Sequence, residues 1–204
     1  KDAERRDRLL AVITADVGRL DRLITDISRA SRVDAELARE DVSRFDLATL
    51  LGDLAQSYNE AGNHPAVIRL DQQARSALVI GRGDPLGQVF RNLLDNALTF
   101  SPADSEVLIS IRRGQHDGRA SLKIHVDDQG PGIPDDNLEA VFDRFYTERP
   151  KGAAFGTHSG LGLAISRQIV KAHGGTIIAR NRHNQDGDVV GARFTVELPA
   201  ADAD

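Results

Sequence analysis

Two asparagines four residues apart are the first candidates for chemistry in this sequence. Asn92 and Asn96 lie in the segment QVFRNLLDNALTF, whose apolar spacing predicts a helix from about Asp84 to Phe100. At this spacing both amides project from one face of the helix. Amide oxygens on a rigid helix can hold a hydrated magnesium ion beside phosphate oxygens. Two such asparagines can equally be exposed polar residues.

A glycine-rich segment, DDQGPGIP, directly follows the predicted strand KIHVD. Its Asp128 stands at the end of that strand, where a carboxylate can accept a hydrogen bond from an exocyclic amine such as N6 of adenine. Gly130 and Gly132 have no side chains, so the backbone can approach a planar ring closely. The alternative is an ordinary turn, since Gly and Pro are common in turns.

A second glycine-rich segment, SGLGLAIS, opens a predicted helix at Ser159 to Ser166. The N–H groups and the positive dipole end of a helix N-terminus bind anions, and glycines there admit a triphosphate. The alternative is a flexible loop that enters a core helix. The pattern is neither the GxxxxGK[ST] loop of P-loop enzymes nor the GxGxxG spacing of a dinucleotide fold.

The segment before Asp41 has the pattern of a long helix with one apolar face. Steps of three and four residues separate its apolar positions, as in a coiled coil or helical bundle: Leu10, Ile13, Val17, Leu20, Ile24 and Ile27. A single helix cannot bury such a face, so we expect it to pack on another helix, most simply in a symmetric dimer. The abrupt start within a helical pattern suggests a piece of a longer protein.

After Asp41 the pattern predicts alternating strands and helices. A helix should start near Asp46 or Thr49 and another should run through LGLAISRQIVKAHGG to a cap at Gly174. The predicted strands are AVIRL, ALVIG, EVLISIRR, ASLKIHV, TIIARN and GARFTVELP, with a hairpin at GQHDG. The strands come as antiparallel-looking pairs with helices between them. This order predicts an α+β fold, a two-layer sandwich with helices on one face of a mixed sheet.

Composition excludes several classes of function. The 204 residues carry a net charge of -5, which gives no general attraction to nucleic acid. The chain has no cysteine, so disulfide frameworks, thiolate metal sites and thiol nucleophiles are excluded. No apolar run approaches the roughly 20 residues that cross a bilayer. The six histidines lack metal-ligand spacing, and we expect each to be structural or solvated.

Four motifs together resemble one family. NLLDNALTFS, DDQGPGIP, VFDRFY and SGLGLAIS are similar in order and spacing to the N box, first glycine box, F box and second glycine box of histidine-kinase catalytic domains. That superfamily has the Bergerat (GHKL) sandwich fold and also includes gyrase and the ninety-kilodalton heat-shock chaperone. VFDRFY and the preceding RLDRLITDISRASRVDAEL resemble the kinase branch, and in particular membrane sensor kinases of the ChvG type. The resemblance covers essentially the whole chain.

The resemblance implies two domains and a set of site residues. Residues 1–40 would be the second helix of a dimerisation domain, and residues 41–204 the catalytic ATP-binding domain. Asp128 would bind adenine with the ring of Phe100 packed on the base, Thr195 would share a water with Asp128, Asn96 would ligate Mg²⁺, and Asn92 would support the phosphates. The other implied pocket residues are Gly130, Gly132 and Ile133 near the base, Ser159, Gly160, Leu161, Gly162 and Leu163 near the phosphates, and Tyr146, Arg149 and Lys151 in an ATP lid from Tyr146 to Ser159.

Three positions depart from the family pattern. No histidine precedes His64, so the phosphate-accepting histidine is expected upstream of Lys1 and this chain should not autophosphorylate. Thr99 stands where the N box often has a basic residue, which weakens a phosphate contact or shifts it to Arg91 or the lid. His158 stands where the second glycine box often has another glycine, so lid closure is expected to differ.

The resemblance implies that the domain binds Mg-ATP and phosphorylates a histidine on an upstream helix, of its own full-length chain or of a homodimer partner. The phosphoryl group would pass to a response-regulator aspartate. Similar kinases are anchored in the inner membrane with this domain in the cytoplasm, so membrane contact would be made only by segments outside this chain. The alternatives are a non-catalytic scaffold and a gyrase- or chaperone-like ATPase. That ATPase would need an acidic general base where this chain has Asn92; Asp95 is adjacent but should point elsewhere.

Overall fold

The structure is a computed structural model. It describes Arg6, Ile13 and Val17 and residues 41–62, 64, 66–72, 77–116, 118–146 and 160–201. Arg6, Ile13 and Val17 are helical and exposed, in agreement with the predicted helix. The rest of the predicted dimerisation segment lies outside the described residues, as do Arg149, Lys151, His158 and Ser159.

Seven strands, three helices and two short 3₁₀ turns form the described fold. In chain order they are β1 (Ser43–Asp46), α1 (Leu47–Ala61), β2 (Val67–Gln72), β3 (Leu78–Gly81), α2 (Gly83–Phe100), β4 (Glu106–His116), β5 (Arg119–Asp127), the 3₁₀ turns Asp135–Asn137 and Ala140–Phe142, α3 (Gly162–Ala172), β6 (Thr176–His183) and β7 (Val189–Pro199). Five strands make one sheet in the order β2-β4-β5-β7-β6. Only the β2–β4 pair is parallel, so the sheet is mixed as predicted.

One face of this sheet is apolar and is covered by the helices. Side chains alternate between the two faces of a strand, and on β5 the buried ones are Leu122, Ile124 and Val126. They share a single core with residues of all three helices, among them Leu51 of α1 and Phe90 of α2. The α+β two-layer sandwich is therefore confirmed.

The opposite, outer face of the sheet is polar. Asp127 and Arg193 lie there as register partners on β5 and β7, and the arginine donates two hydrogen bonds to the carboxylate, of 2.7 and 2.6 Å. On the same face Arg112 donates to Asp71 at 2.8 Å. This face is held together by paired charges rather than by apolar packing.

The predicted strands AVIRL and ALVIG do not pair with each other. β2 instead lies parallel to β4, with Val67 opposite Glu106. β3 forms a separate two-stranded antiparallel sheet with β1, in which Ser43 lies opposite Gly81. β1 was not predicted because its sequence, SRFD, is short and half charged, and it shows none of the apolar alternation by which strands are recognised.

The helix ends follow their local sequence signals. Asp46 caps α1, accepting a 2.9 Å hydrogen bond from the Ala48 N–H. At the end of α3, Gly174 takes a left-handed φ of 70° and the Gly175 N–H donates to the Val170 carbonyl. His173 beside it has a structural role, since Nδ1 lies 2.8 Å from the Ile169 carbonyl and Nε2 accepts the Arg82 N–H. Both predicted caps are confirmed.

Candidate functional site

Three of the predicted site residues lie in a row along one face of α2. Asn92, Asn96 and Phe100 follow at intervals of four, and each is half-buried, between the buried and exposed faces of the helix. Eight residues of helix span about 12 Å, which is on the scale of an extended nucleoside triphosphate. The row can therefore contact one ligand at two ends, called here the base end near Phe100 and the phosphate end near Asn92.

Asp128 is the central group of the base end. It is only 4% exposed and directly follows β5. Its Oδ1 accepts two backbone N–H groups, those of Gly130 and Ala192, both at 2.9 Å. Burial raises the pKa of Asp128, while the two backbone hydrogen bonds act in the opposite direction. With Oδ1 engaged, Oδ2 is the oxygen that remains to accept a donor from a ligand.

The loop after Asp128 lies directly against the end of α2. A Cβ placed on Gly130 would come within 2.8 Å of the Phe100 carbonyl oxygen, so only glycine allows this approach. Gly132 has a φ of 80°, and a Cβ there would overlap Val189 and Asn181. Ile133 is half-buried against the core. The base end thus contains Asp128, Phe100 and the three predicted loop residues together.

Residues of β6 that were not predicted as site residues hold this loop. Asn181 Oδ1 accepts the Ile133 N–H at 2.8 Å, and Asn181 Nδ2 donates to the Ile133 carbonyl at 2.6 Å. Arg182 donates from Nη1 to the Asp128 carbonyl at 2.6 Å. The sequence does contain a signal for Asn181: within TIIARN it is in phase with the buried Ile177 and Ala179, where an apolar residue would be expected.

The phosphate end lies at the start of α3. The Asn92 amide nitrogen donates to the Gly162 carbonyl at 2.9 Å and contacts the Ser166 hydroxyl at 3.2 Å, so α2 positions the first turn of α3. The helix begins after Leu161, which has no capping side chain, and its first turn contains no acidic residue. Unlike that of α1, this N-terminus has no side-chain cap among the described residues, and the N–H groups of a helix start can bind an anion. Leu163 is half-buried beside them.

Gly160 lies at the C-terminal end of the predicted lid and contacts the residues at its start. It has a φ of 72°, and its carbonyl accepts the Phe145 N–H at 2.9 Å. A Cβ at this position would come within 2.6 Å of the Tyr146 carbonyl oxygen. Tyr146 and Gly160 are thus adjacent, while the lid residues between them, 147–159, lie outside the described part of the chain.

The structure does not place Thr195 near Asp128. Thr195 is in register with His125 on the outer face of the sheet, and its hydroxyl lies 2.9 Å from His125 Nδ1. Asp128 points to the opposite side, in phase with the buried Val126. The water that Thr195 was expected to share with Asp128 does not fit this arrangement. The position beside Asp128 on β7 is occupied by Ala192, which contributes its backbone N–H.

The acidic neighbour of the two asparagines faces away from the row. Asp95 is exposed, and its Oδ1 accepts the Tyr58 hydroxyl of α1 at 2.6 Å. Thr99 donates to the Asp95 carbonyl at 2.7 Å, so its hydroxyl bonds the backbone of its own helix. Arg91 is also exposed, with Nη2 3.5 Å from the Asp84 carbonyl at the helix start. Asp95 is therefore not placed to activate a water at the phosphate end.

With this geometry established, comparison with known proteins gives the family. A model described as histidine kinase-, DNA gyrase B- and HSP90-like ATPase matches residues 81–202, which include both ends of the site. The chain belongs to this ATPase family. ATP is accordingly the nucleotide of the domain. No helix among the residues that the structure describes is long and apolar enough to cross a membrane.

Within the ATPase family the similar proteins are sensor kinases. Sensor protein ChvG of Rhizobium meliloti is 45% identical over 98% of the chain, and the histidine-protein kinase BaeS of Escherichia coli is 36% identical over 93%. The chain spans only 35% and 39% of their lengths. Full-length ShkA, solved in complex with AMPPNP, has a similar structure with a TM-score of 0.72 and 25% sequence identity. The match covers 92% of this chain and 37% of the ShkA chain. These similarities favour the kinase branch over the gyrase-like and scaffold alternatives.

Proposed function

We propose that this domain binds Mg-ATP and presents the γ-phosphate to a histidine on a helix outside the catalytic domain. The observation that carries the proposal is Asp128, a buried carboxylate at a strand end with one oxygen engaged and the other left for a donor. An adenine N6 amine matches that acceptor, and the row on α2 continues from it toward a helix N-terminus that no described side chain caps. The similarity to sensor histidine kinases supports the same conclusion.

Asn96 is the proposed protein ligand of Mg²⁺. It lies midway along the row, and its side chain makes no hydrogen bond to any described residue. The described residues contain no group of three His, Cys, Asp or Glu side chains suited to a metal. A magnesium ion here would therefore take most of its ligands from phosphates and water, as is usual for nucleotide-bound magnesium. The ion would neutralise phosphate charge, and Asn96 would set its position.

The proposed reaction is phosphoryl transfer in which this chain supplies positioning. A ring nitrogen of the external histidine attacks the γ-phosphorus, the bond from γ-phosphorus to the bridging β,γ-oxygen breaks, and ADP leaves with that electron pair. Asp128 fixes the base, and Asn92 holds the first turn of α3 whose N–H groups face the phosphates. Arg149, Lys151 and Ser159 of the lid are proposed to reach the phosphates from the other side, with Tyr146 at its base. No residue of this chain is the proposed nucleophile.

The proposed context is a two-component sensor. Residues 1–40 would supply the second helix of a dimerisation domain, and the exposure of Ile13 and Val17, 52% and 59%, is consistent with an apolar face awaiting a partner helix. The acceptor histidine would belong to the full-length chain or a homodimer partner. It would pass the phosphoryl group to a response regulator, on the cytoplasmic face of the inner membrane.

Phosphotransfer in trans tests this proposal. The chain is mixed with ATP labelled at the γ-phosphate and a separate dimerisation domain that carries a histidine, with a His→Gln version of that domain as the control. We expect acid-labile label on the histidine domain and none on the control. ATP binding without transfer would favour the scaffold, and phosphate release without a phosphohistidine would favour the gyrase-like ATPase.

A further inference from the structure

Two consecutive residues of β6 hold the adenine loop, residues 128–133, at both of its ends. Arg182 donates to the carbonyl of Asp128, the first residue of the loop, at 2.6 Å. Asn181 forms a pair of hydrogen bonds with the backbone N–H and carbonyl of Ile133, the last residue, at 2.8 and 2.6 Å. Both residues are more than 45 positions away in sequence, so the loop conformation depends on β6.

The two residues act from opposite faces of the sheet. Side chains alternate along a strand, and Asn181 follows the phase of the core-facing Ile177 and Ala179. Arg182 therefore lies on the outer face, where it meets Asp127 of β5. The loop is held from the helix side at Ile133 and from the outer side at Asp128.

Arg182 is itself held by a buried charge. Asp127 is 2% exposed, and its carboxylate receives both hydrogen bonds of Arg193 and lies 3.6 Å from Arg182 Nε. A buried carboxylate needs such partners, because an unpaired charge in this environment is strongly unfavourable. The network Asp127–Arg193–Arg182 thus gives the Arg182 guanidinium a fixed place beside the Asp128 carbonyl.

The remaining polar groups of Asp128 are also engaged. Its N–H donates to the Ala192 carbonyl at 3.0 Å, and its Oδ1 accepts two N–H groups. Arg182 binds the remaining backbone group, the carbonyl. Oδ2 is left to accept a hydrogen bond from a ligand, and its position is fixed by the bonds that the other polar atoms of Asp128 make. Recognition of one amine by one carboxylate oxygen requires placement to within about 0.5 Å.

We propose that Asn181 and Arg182 are positioning residues that set the selectivity of the pocket for adenine. They contact no part of the nucleotide and act by fixing the oxygen of Asp128 that accepts the N6 amine. The inference rests on the proposed function, since it assumes that the base lies against Asp128. Beyond that function, we expect selectivity for adenine to be lost when the hydrogen bonds from β6 to the loop are removed, even though Asp128 is present.

Calorimetry with two diphosphates tests the inference in the intact chain. ADP is compared with purine riboside diphosphate, which lacks only the exocyclic amine, for the wild type, Asn181→Ala, Arg182→Ala, Arg182→Lys and the control Arg180→Ala. Arg180 is exposed on the same face of β6 as Arg182, and it has no described contact with the loop. Thermal unfolding of each variant is recorded in parallel.

The ratio of the two affinities separates positioning from a general structural role. We expect the wild type and Arg180→Ala to prefer ADP by at least about tenfold. Asn181→Ala and Arg182→Ala should bind ADP more weakly and purine riboside diphosphate as before, so that the preference falls below about threefold. Arg182→Lys keeps a charge beside Asp127 but loses the planar fork, so it should fold and still lose most of the preference.

Two results would overturn the inference, and they differ from each other. If the variants lose affinity for both diphosphates by the same factor, or keep the wild-type preference, then β6 supports the fold but does not set selectivity. If the wild type itself shows no preference for ADP, then Asp128 does not bind the amine and the proposed function fails as well. Should Arg182→Ala not fold, the ratios of Arg182→Lys and Asn181→Ala decide between these outcomes.

Discussion

The two ends of the site are built in different ways. At the base end, Asp128 is buried and is held by contacts to β6 and β7 more than 50 residues away. At the phosphate end, the proposed binding groups are the backbone N–H groups of a helix start, and the side chain of Asn92 connects that helix to α2. Both ends therefore depend on tertiary contacts, but the base end relies on a buried side chain held by two strands, whereas the phosphate end relies on the backbone of one helix start. Substitutions should affect base recognition and phosphate binding separately.

The largest expected effect is that of Asp128→Asn at the base end. Asparagine can keep the Oδ1 hydrogen bonds but presents N–H groups where the adenine amine needs an acceptor. We expect affinity for an ATP analogue to fall by at least about a hundredfold, measured by calorimetry. Loss of less than about threefold would show that Asp128 does not contact the base.

The same substitution should stabilise the free domain. Burial raises the pKa of Asp128, so the folded protein binds a proton more readily than the unfolded chain. Stability therefore falls as pH rises from the ordinary aspartate pKa, about 3.9, through the raised folded value, and the penalty persists at neutral pH. Thermal unfolding should show Asp128→Asn above the wild type at neutral pH, with the difference shrinking toward about pH 4. A lower Tm for the variant at neutral pH would contradict this.

A pair of glycine substitutions contrasts the two ends. Gly191 has a φ of 146°, and a Cβ there would overlap the Asp128 carbonyl. We expect Gly191→Ala to cost about 2–4 kcal/mol of unfolding free energy, measured by urea denaturation. At the phosphate end a Cβ on Gly162 would lie 3.5 Å from Asn92 Cγ, an ordinary contact. Gly162→Ala should leave stability unchanged or raise it by about 0.5–1 kcal/mol, and equal losses for the two variants would erase the contrast.

Asn92→Ala should affect the phosphate end alone. It removes the donor to the Gly162 carbonyl, at a cost of about 1 kcal/mol in stability. Affinity for an ATP analogue should fall about tenfold while affinity for adenosine stays constant, since the base end is untouched. Calorimetry with both ligands measures the split. An equal loss for adenosine would mean that the two ends are not separable.

The smallest expected effect is that of Tyr58→Phe, which lies outside both ends. Burial and the hydrogen bond to Asp95 raise the pKa of Tyr58, so the phenol contributes stability that is present below about pH 10 and lost as pH rises through the folded value. We expect the variant to lose about 1 kcal/mol at neutral pH and to show a shallower alkaline loss of Tm. ATP-analogue affinity should not change. A tenfold drop would place Asp95 in the site and support the ATPase alternative.

The same contrast explains which parts of the site the sequence could predict. Asn92 and Asn96 follow from helical spacing, and Gly160 and Gly162 from their place at the start of a helix, because these relations are local. Phe100 was implied by the family resemblance. Asp128 was predicted from its place at a strand end. In the structure each of these residues lies on, or at the end of, the helix or strand that the sequence predicted for it.

The groups that hold Asp128 could not be predicted, because they depend on strand order. Arg182 and Asp127 are neighbours only since β6 and β5 flank β7. The role of Thr195 came from the family resemblance alone, and the register of β7 places this residue on the outer face, opposite His125. The pairing of β2 with β4 rather than β3 was likewise not visible in a list of strands.

The most direct test of the proposed pocket is calorimetric titration of the chain with a non-hydrolysable ATP analogue, with and without magnesium, compared with Asp128→Asn and Asn96→Ala. We expect magnesium-dependent binding by the wild type, loss of binding in Asp128→Asn, and binding without magnesium dependence in Asn96→Ala. Absence of binding by the wild type, or binding that neither substitution changes, would contradict the proposed nucleotide site.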